Sequence, residues 1–189
     1  MNTSLPRHSS IKLPLLTMLL SIFPIFVLAA ALPAQPNTPI SLAFNNFLDN
    51  NLLGVVGAWS SHFPLPAKAI ANYISIFGPI FGIFVLLNTI KNSTLAKINL
   101  KDITWPKYIF MCMGLTLVNA LFIYQNYFSH IDFSANDHKL RMVGSHLFLL
   151  PIFTSALLLA LYGLILFNYL IFFMISRALL QQSTTQKPH

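Results

Sequence analysis

The stretch IANYISIFGPIFGIFVLLNTI, residues 70 to 90, contains no charged side chain and no histidine. A helix needs roughly 20 apolar residues to cross about 30 Å of hydrocarbon. Three further runs of this kind lie at residues 13 to 32, 108 to 128 and 147 to 176. The sequence therefore predicts an all-α integral membrane protein, a bundle of four transmembrane helices that form a single membrane domain over residues 13 to 176.

The composition excludes several classes of protein. Of the 189 residues, 56% are hydrophobic and 8% are charged, which leaves too few charges for the outer face of a soluble domain. The net charge of +7 comes from basic residues that flank the apolar runs, a position typical of membrane topology rather than of a nucleic-acid partner. Cys112 is the single cysteine, so the chain forms no internal disulfide and has no covalent haem motif.

The distribution of Lys and Arg predicts the orientation of the spans in the membrane. If both termini and the loop at residues 91 to 107 are cytoplasmic, eight of the eleven basic residues lie inside. The three that remain outside are Lys68, Lys139 and Arg141. We therefore expect a multi-pass protein whose residues 1 to 12 and 177 to 189 are cytoplasmic.

The first run also resembles an export signal, because it ends in the small residues of FVLAAALPAQPN, residues 26 to 37. The apolar core of a signal peptide is usually about 7 to 15 residues long, and this run is longer. A retained first span is therefore favoured, and cleavage near Ala34 stays open. The later loops face the same sides in either case.

The outer loop, residues 33 to 69, contains a second kind of helix signal. Between residues 40 and 59, apolar side chains recur at three- and four-residue spacing, with Asn45 and Asp49 among the polar residues between them. This pattern predicts an amphipathic helix over residues 40 to 59 that lies at the outer interface, with Trp59 at headgroup depth. A loop helix packed on the spans is the alternative.

The four runs offer neutral groups rather than ionisable ones. Gly78 and Gly82 form a Gly-x-x-x-Gly motif, and Asn119 can form a hydrogen bond between helices. We interpret such residues first as packing within the bundle and second as a docking surface, which also leaves a homo-oligomer open. Without an intramembrane histidine, the spans offer no axial haem ligand, and we expect no cofactor.

Four histidines fall on the predicted outer side, at positions 62, 130, 138 and 146. Their spacing matches no compact metal motif, so solvated imidazoles are favoured over a zinc or pH-sensing site. The sequence also has no nucleophile elbow, phosphate-binding loop or His-Glu-x-x-His helix. A catalytic function is therefore not expected.

The middle of the chain resembles the immunity proteins for pore-forming colicins, of the type that protects against colicins A and B. The resemblance covers roughly residues 66 to 180, and in the second run it is carried by Asn72, Tyr73, Pro79, Gly82, Thr89 and Lys91. Farther on, YQNYF and the KLRM of residues 139 to 142 are similar to the end of the third span of that family and to the basic turn before its fourth.

The resemblance implies an inner-membrane protein that binds the C-terminal domain of a pore-forming toxin within the lipid bilayer and stops its channel from opening. The candidate toxin contacts lie on the spans and in the third loop; they are Gly78, Gly82, Asn119, Asp132, Asp137, Lys139 and Arg141. The competing interpretation is a non-catalytic accessory subunit of a transport or secretion complex. A small membrane enzyme that uses Asp132, Asp137 and the outer histidines is the third.

Overall fold

The computed structural model of the protein describes residues 12–93, 103–135 and 140–185. These residues are mostly helical. The α-helices of the described ranges are α1 Leu15–Ala31, α2 Pro39–Asn51, α3 Pro64–Asn92, α4 Trp105–Ile123, α5 Arg141–Ser145, α6 Leu149–Asn168 and α7 Ser176–Thr185. π-helical segments extend two of them, Tyr124–Phe128 after α4 and Tyr169–Ile175 between α6 and α7.

Three of the four predicted spans lie in helices that are long and apolar enough to cross a membrane, at Pro64–Asn92, Trp105–Phe128 and Leu149–Gln181. The first run forms the shorter apolar helix α1, of 17 residues. The last helix continues past residue 176 to Thr185 and includes the start of the predicted tail. No proline or glycine interrupts it there.

The four long helices alternate in direction. The backbone N–H of Lys12 donates to Ser93 Oγ, which places the start of α1 beside the end of α3. Tyr108, near the start of α4, likewise donates to Ser176, the first residue of α7, which continues the helix that begins with α6. We call this end of the bundle, which carries Lys12, Lys91, Lys107 and Arg177, the basic end.

The core lies where α1, α3 and α6 meet. Its fully buried side chains include Ile25 of α1, Val85 of α3, and Leu158 and Tyr162 of α6. Tyr162 donates a hydrogen bond to Ser21 Oγ, which gives the one hydroxyl of this apolar cluster a partner on α1. The core therefore joins three helices, and α4 lies outside it.

The outer loops contain a small sheet, so the prediction of an all-α fold is wrong in this part of the chain. Strands β1 Gly57–Trp59 and β2 His130–Asp132 pair in parallel, with Ala58 opposite Ile131. We call this opposite end of the bundle the clasp end. The strands bring together two loops that lie more than 70 residues apart in the sequence.

The predicted helix over residues 40 to 59 is also too long. Helix α2 ends at Asn51, and the chain then turns at Gly54, whose φ is 64°. Asn72 of α3 holds this turn, since its Oδ1 accepts from the Leu53 N–H and its Nδ2 donates to the Gly54 carbonyl. Trp59 consequently lies in β1 rather than on the helix.

Helix α2 packs on α3 through polar groups as well as apolar ones. Lys68 Nζ lies 2.8 Å from Asn45 Oδ1 and 2.8 Å from Asp49 Oδ1, and the lysine is 6% exposed. Beside this ion pair, Leu48 is buried against Leu65. The amide and carboxylate that the periodicity assigned to a polar face are therefore directed at α3.

Candidate functional site

Helix α4 packs on the bundle through its first half, where Tyr108, Met111 and Leu115 contact the apolar cluster of Ile171, Ile175 and Leu179. None of its described residues is buried, whereas α3 and α6 pack closely on each other. A groove of about 520 Å³ lies between α3, α6 and the second half of α4 with its π-helical extension. We call it the α4 groove; it is lined chiefly by apolar residues such as Ile74, Phe122, Ile123, Leu161 and Leu164.

Two asparagines form the main polar feature of the α4 groove. Asn119 Nδ2 donates to Asn168 Oδ1 at 2.8 Å, and Asn168 Nδ2 donates back to Asn119 Oδ1 at 2.9 Å. Asn168 Nδ2 also donates to the Leu164 carbonyl. Asn119 thus joins α4 to α6 within the chain, and part of its hydrogen-bonding capacity is already used.

The proline of α3 explains how α4 is held at the clasp end. Pro79 has no N–H, so the carbonyl of Ser75, four residues earlier, lacks its usual helical donor. The hydroxyl of Tyr127, in the π-helical segment after α4, donates to that carbonyl instead. Ser75 Oγ also donates to the Asn126 carbonyl at 3.3 Å.

The two glycines of the motif face α6. A Cβ at Gly78 would lie 2.8 Å from Leu161 Cδ2, and one at Gly82 would lie 2.2 Å from Ile165 Cδ1. Both distances are shorter than a van der Waals contact, so the glycines permit the close approach of α3 and α6. Larger residues at Gly78 or Gly82 would therefore act on the bundle itself before they act on any bound partner.

A network of hydroxyl and carboxylate groups joins the two outer loops beside the sheet. The Ser61 N–H donates to Asp132 Oδ1 at 3.1 Å, and the hydroxyls of Ser61 and Ser134 form a hydrogen bond with 2.7 Å between their oxygens. Ser60 Oγ donates to the Gly144 carbonyl at 2.7 Å. A Cβ at Gly144 would meet backbone atoms of residues 133 and 134 at 2.4 Å, so only glycine fits.

Asp132 is the charged centre of this network. Burial raises the pKa of its carboxyl group, but hydrogen bonds from Ser134 and Ser61 favour the ionised form more strongly and hold the pKa below its usual value. Arg141 begins α5 and is exposed. The other two predicted loop contacts, Asp137 and Lys139, lie outside the described residues.

The residues that carry the family resemblance have structural partners here. Asn72 holds the turn after α2, and the hydroxyl of Tyr73 donates to the Ser21 carbonyl of α1 at 2.7 Å. Thr89 Oγ1 donates to the Val85 carbonyl within α3. Lys91 lies in the last turn of α3, at the basic end, where a cation interacts favourably with the helix dipole.

The described residues offer two kinds of surface, the apolar α4 groove and the polar network at the clasp end. In the ranges that the structure describes, no three His, Cys, Asp or Glu side chains come together in a group that could hold a metal ion. His138 lies outside those ranges. The α4 groove offers apolar walls and carboxamides, and the clasp end offers a carboxylate that hydrogen bonds already orient.

Several residues of this site have no signal in the sequence that identifies them. The serines at 60, 61 and 134 are ordinary loop residues, and Tyr127 is one of several aromatics near the end of a span. Only Pro79 gave a usable hint, because a proline inside a helix must free a carbonyl.

Comparison of the chain with known protein families, characterised proteins and solved structures gives no match.

Proposed function

We propose that the protein is an immunity protein that binds a pore-forming, colicin-type toxin in the bacterial inner membrane and prevents its channel from opening. The observation that supports this proposal is the α4 groove, whose walls are apolar and whose polar groups are neutral. Pore-forming toxins present apolar helices to the bilayer, and helices in lipid associate by close packing and neutral hydrogen bonds. The groove offers both.

The membrane arrangement that goes with this function has four spans and cytoplasmic termini. Helix α1 extends over about 26 Å at 1.5 Å per residue, and a bilayer adapts to a mismatch of a few ångströms. The charge distribution supports this orientation, because four basic residues lie at the basic end. At the clasp end, Lys68 is neutralised by Asp49 and Arg141 is exposed.

Helix α2 then lies on the outer surface of the membrane. Its side that faces away from α3 exposes Ile40, at 84%, and Phe47, at 48%. Apolar side chains exposed to this extent on a short helix are stabilised when they enter the headgroup region. The predicted interfacial helix is retained in this proposal for the residues Pro39–Asn51 alone.

Discrimination between related toxins is assigned to the third loop. Its candidate contacts are Asp132, Asp137, Lys139 and Arg141, and polar groups of this kind reject partners that leave them unpaired. The network at the clasp end supports the assignment for Asp132, because it fixes the carboxylate before a toxin arrives from the periplasm. Charge changes in the loop are expected to alter which toxin is tolerated.

A killing assay tests the proposal. Toxin-sensitive cells that express the chain are challenged with a panel of pore-forming toxins, including one encoded beside it, and potassium efflux is the direct readout. Ile123 lines the α4 groove and is 50% exposed, so Ile123→Trp should fill the groove and remove protection. Leu121→Trp is the matched control, since Leu121 lies on the exposed side of the same helix.

The outcomes separate the interpretations. Protection that is lost with Ile123→Trp and kept with Leu121→Trp, at equal amounts in the membrane, supports toxin binding in the groove. Equal protection by both variants would remove the groove from the mechanism. If the chain protects against no toxin of the panel, the immunity function fails, and an accessory subunit of a membrane complex takes its place.

A further inference from the structure

A second groove lies at the basic end, between the end of α3 and the helix formed by α6 and its π-helical extension. Its volume is about 250 Å³. It is lined on one side by α3 and on the other by the α6 helix, with Thr89, Ser93, Gly163, Phe167, Leu170 and Met174 among its residues. We call it the Gly163 groove, because a Cβ at Gly163 would meet no described atom within 4 Å.

The walls of the Gly163 groove contain few polar groups that need a hydrogen-bond partner from an occupant. The hydroxyl of Thr89 is already bonded to the Val85 carbonyl, and Ser93 Oγ accepts from the Lys12 N–H. The rest of the lining is apolar apart from the hydroxyl of Tyr169 and the thioether of Met174. An occupant inside the groove must therefore be apolar. A volume of this size suits an acyl chain better than a helix, whose diameter with side chains is about 10 Å.

Basic residues lie near the Ser93 end of the same groove. Lys91 precedes the lining residue Ser93 by two positions, and Arg177 follows Met174 by one helical turn. Lys12 is brought to the same place by its hydrogen bond to Ser93. The carboxylates that the structure describes, those of Asp49 and Asp132, both belong to the clasp end, so none of them offsets this charge.

We propose that the Gly163 groove binds an anionic phospholipid of the bilayer. One acyl chain lies along Gly163 between α3 and α6, and the headgroup phosphate lies at Lys91 and Arg177. Apolar walls with basic residues at one end match the two chemistries of such a lipid, and basic pockets between spans are a known setting for anionic headgroups. The proposal does not depend on the immunity function.

Native mass spectrometry of the full chain in detergent tests this proposal. The protein is titrated with phosphatidylglycerol or with phosphatidylcholine that carries the same acyl chains. We expect retention of one phosphatidylglycerol by the unmodified protein. Replacing both Lys91→Gln and Arg177→Gln should weaken its binding about 25-fold, at about fivefold for each basic residue near an anionic headgroup. Binding of phosphatidylcholine should stay unchanged.

Gly163→Leu tests the acyl chain, and Gly114→Leu is its matched control. A Cβ at Gly114, on α4, likewise meets no described atom within 4 Å, but Gly114 is not part of the groove. We expect Gly163→Leu to abolish lipid retention and Gly114→Leu to preserve it. Equal retention by these two variants would overturn the proposal.

The charge variant keeps the test decisive if Gly163→Leu does not fold. Lys91 and Arg177 are both exposed, so their replacement leaves the core intact. A protein that retains phosphatidylglycerol and phosphatidylcholine equally, or whose preference survives the double replacement, has no anionic lipid site at this position. That result would overturn the proposal independently of the glycine variants.

Discussion

The attachment of α4 to α3 gives the sharpest prediction, because a single carbonyl group decides it. Ser75 lacks its helical donor since Pro79 has no N–H, and the Tyr127 hydroxyl supplies the hydrogen bond. Tyr127→Phe removes that donor and leaves the carbonyl of a buried residue without its partner. In a Pro79→Ala background, the alanine N–H bonds the same carbonyl within α3, so the hydroxyl becomes redundant.

The expected free-energy change follows from this one hydrogen bond. An unpaired buried acceptor costs about 1 to 3 kcal/mol in soluble proteins, whereas side-chain hydrogen bonds in membranes average about 0.6 and reach about 1.7 kcal/mol. We expect Tyr127→Phe to lower the free energy of unfolding by about 1 kcal/mol. In the Pro79→Ala background the cost should be near zero, which gives a coupling energy of about 1 kcal/mol.

Reversible unfolding in mixed micelles, followed by circular dichroism, provides the four free energies of the double-mutant cycle. Tyr124→Phe is the control, because Tyr124 belongs to the same π-helical segment and is 61% exposed. It should change stability little in either background. If Tyr127→Phe costs the same with Pro79 and with alanine, the carbonyl freed by the proline does not hold α4, and the reasoning is refuted.

Three further predictions concern the clasp end and the α4 groove. Gly144→Ala should destabilise the protein by about 1 to 3 kcal/mol through overpacking, since the new Cβ meets backbone atoms. Thermal unfolding measures this change, with Gly114→Ala as the control, and equal melting temperatures of the two variants would contradict it. Asn119→Leu should lower the free energy of unfolding by about 1 to 2 kcal/mol because Asn168 loses its partner on α4, and replacing both asparagines by leucine should lower it less. Unfolding in micelles measures both variants, and a double variant less stable than Asn119→Leu would argue against the pair. The lowered pKa of Asp132 adds stability that is present above the unfolded pKa of about 4 and is lost as the pH falls through the folded pKa. The protection factors of the strand amides, which are exchange rates corrected for the intrinsic rate at each pH, should therefore fall in acid, and Asp132→Asn should remove this fall.

The sequence by itself determined where the long helices lie. The cost of placing a charge in hydrocarbon is local, so an uncharged run such as residues 70 to 90 indicates a span without knowledge of its neighbours. The positions of the basic residues, which are also read directly from the sequence, indicated which end of the bundle carries more positive charge. The Gly-x-x-x-Gly motif of Gly78 and Gly82 also indicated close helix packing, although the sequence did not identify α6 as the partner.

Tertiary contacts decided where the loop helix ends. The apolar spacing continues to Trp59, and nothing in that pattern marks a stop at Asn51. The stop depends on Asn72, which lies in α3 and bonds both sides of the turn at Gly54. A periodicity indicates which side chains share a face of a helix. It contains no information about the carboxamide of Asn72, which lies farther along the chain and bonds the backbone of Leu53 and Gly54.

The partners of the polar groups were also decided by the tertiary structure. The sequence predicted only that Lys68 lies on the outer side, and the tertiary structure buries it beside Asp49. Asn119 had a sequence signal for hydrogen bonding, but only the packing of α4 on α6 selected Asn168. Strands of three residues carry too short a pattern to recognise, and parallel pairing joins segments far apart in the chain. Hydropathy acts on each residue through the solvent, whereas these contacts exist only after the helices have packed.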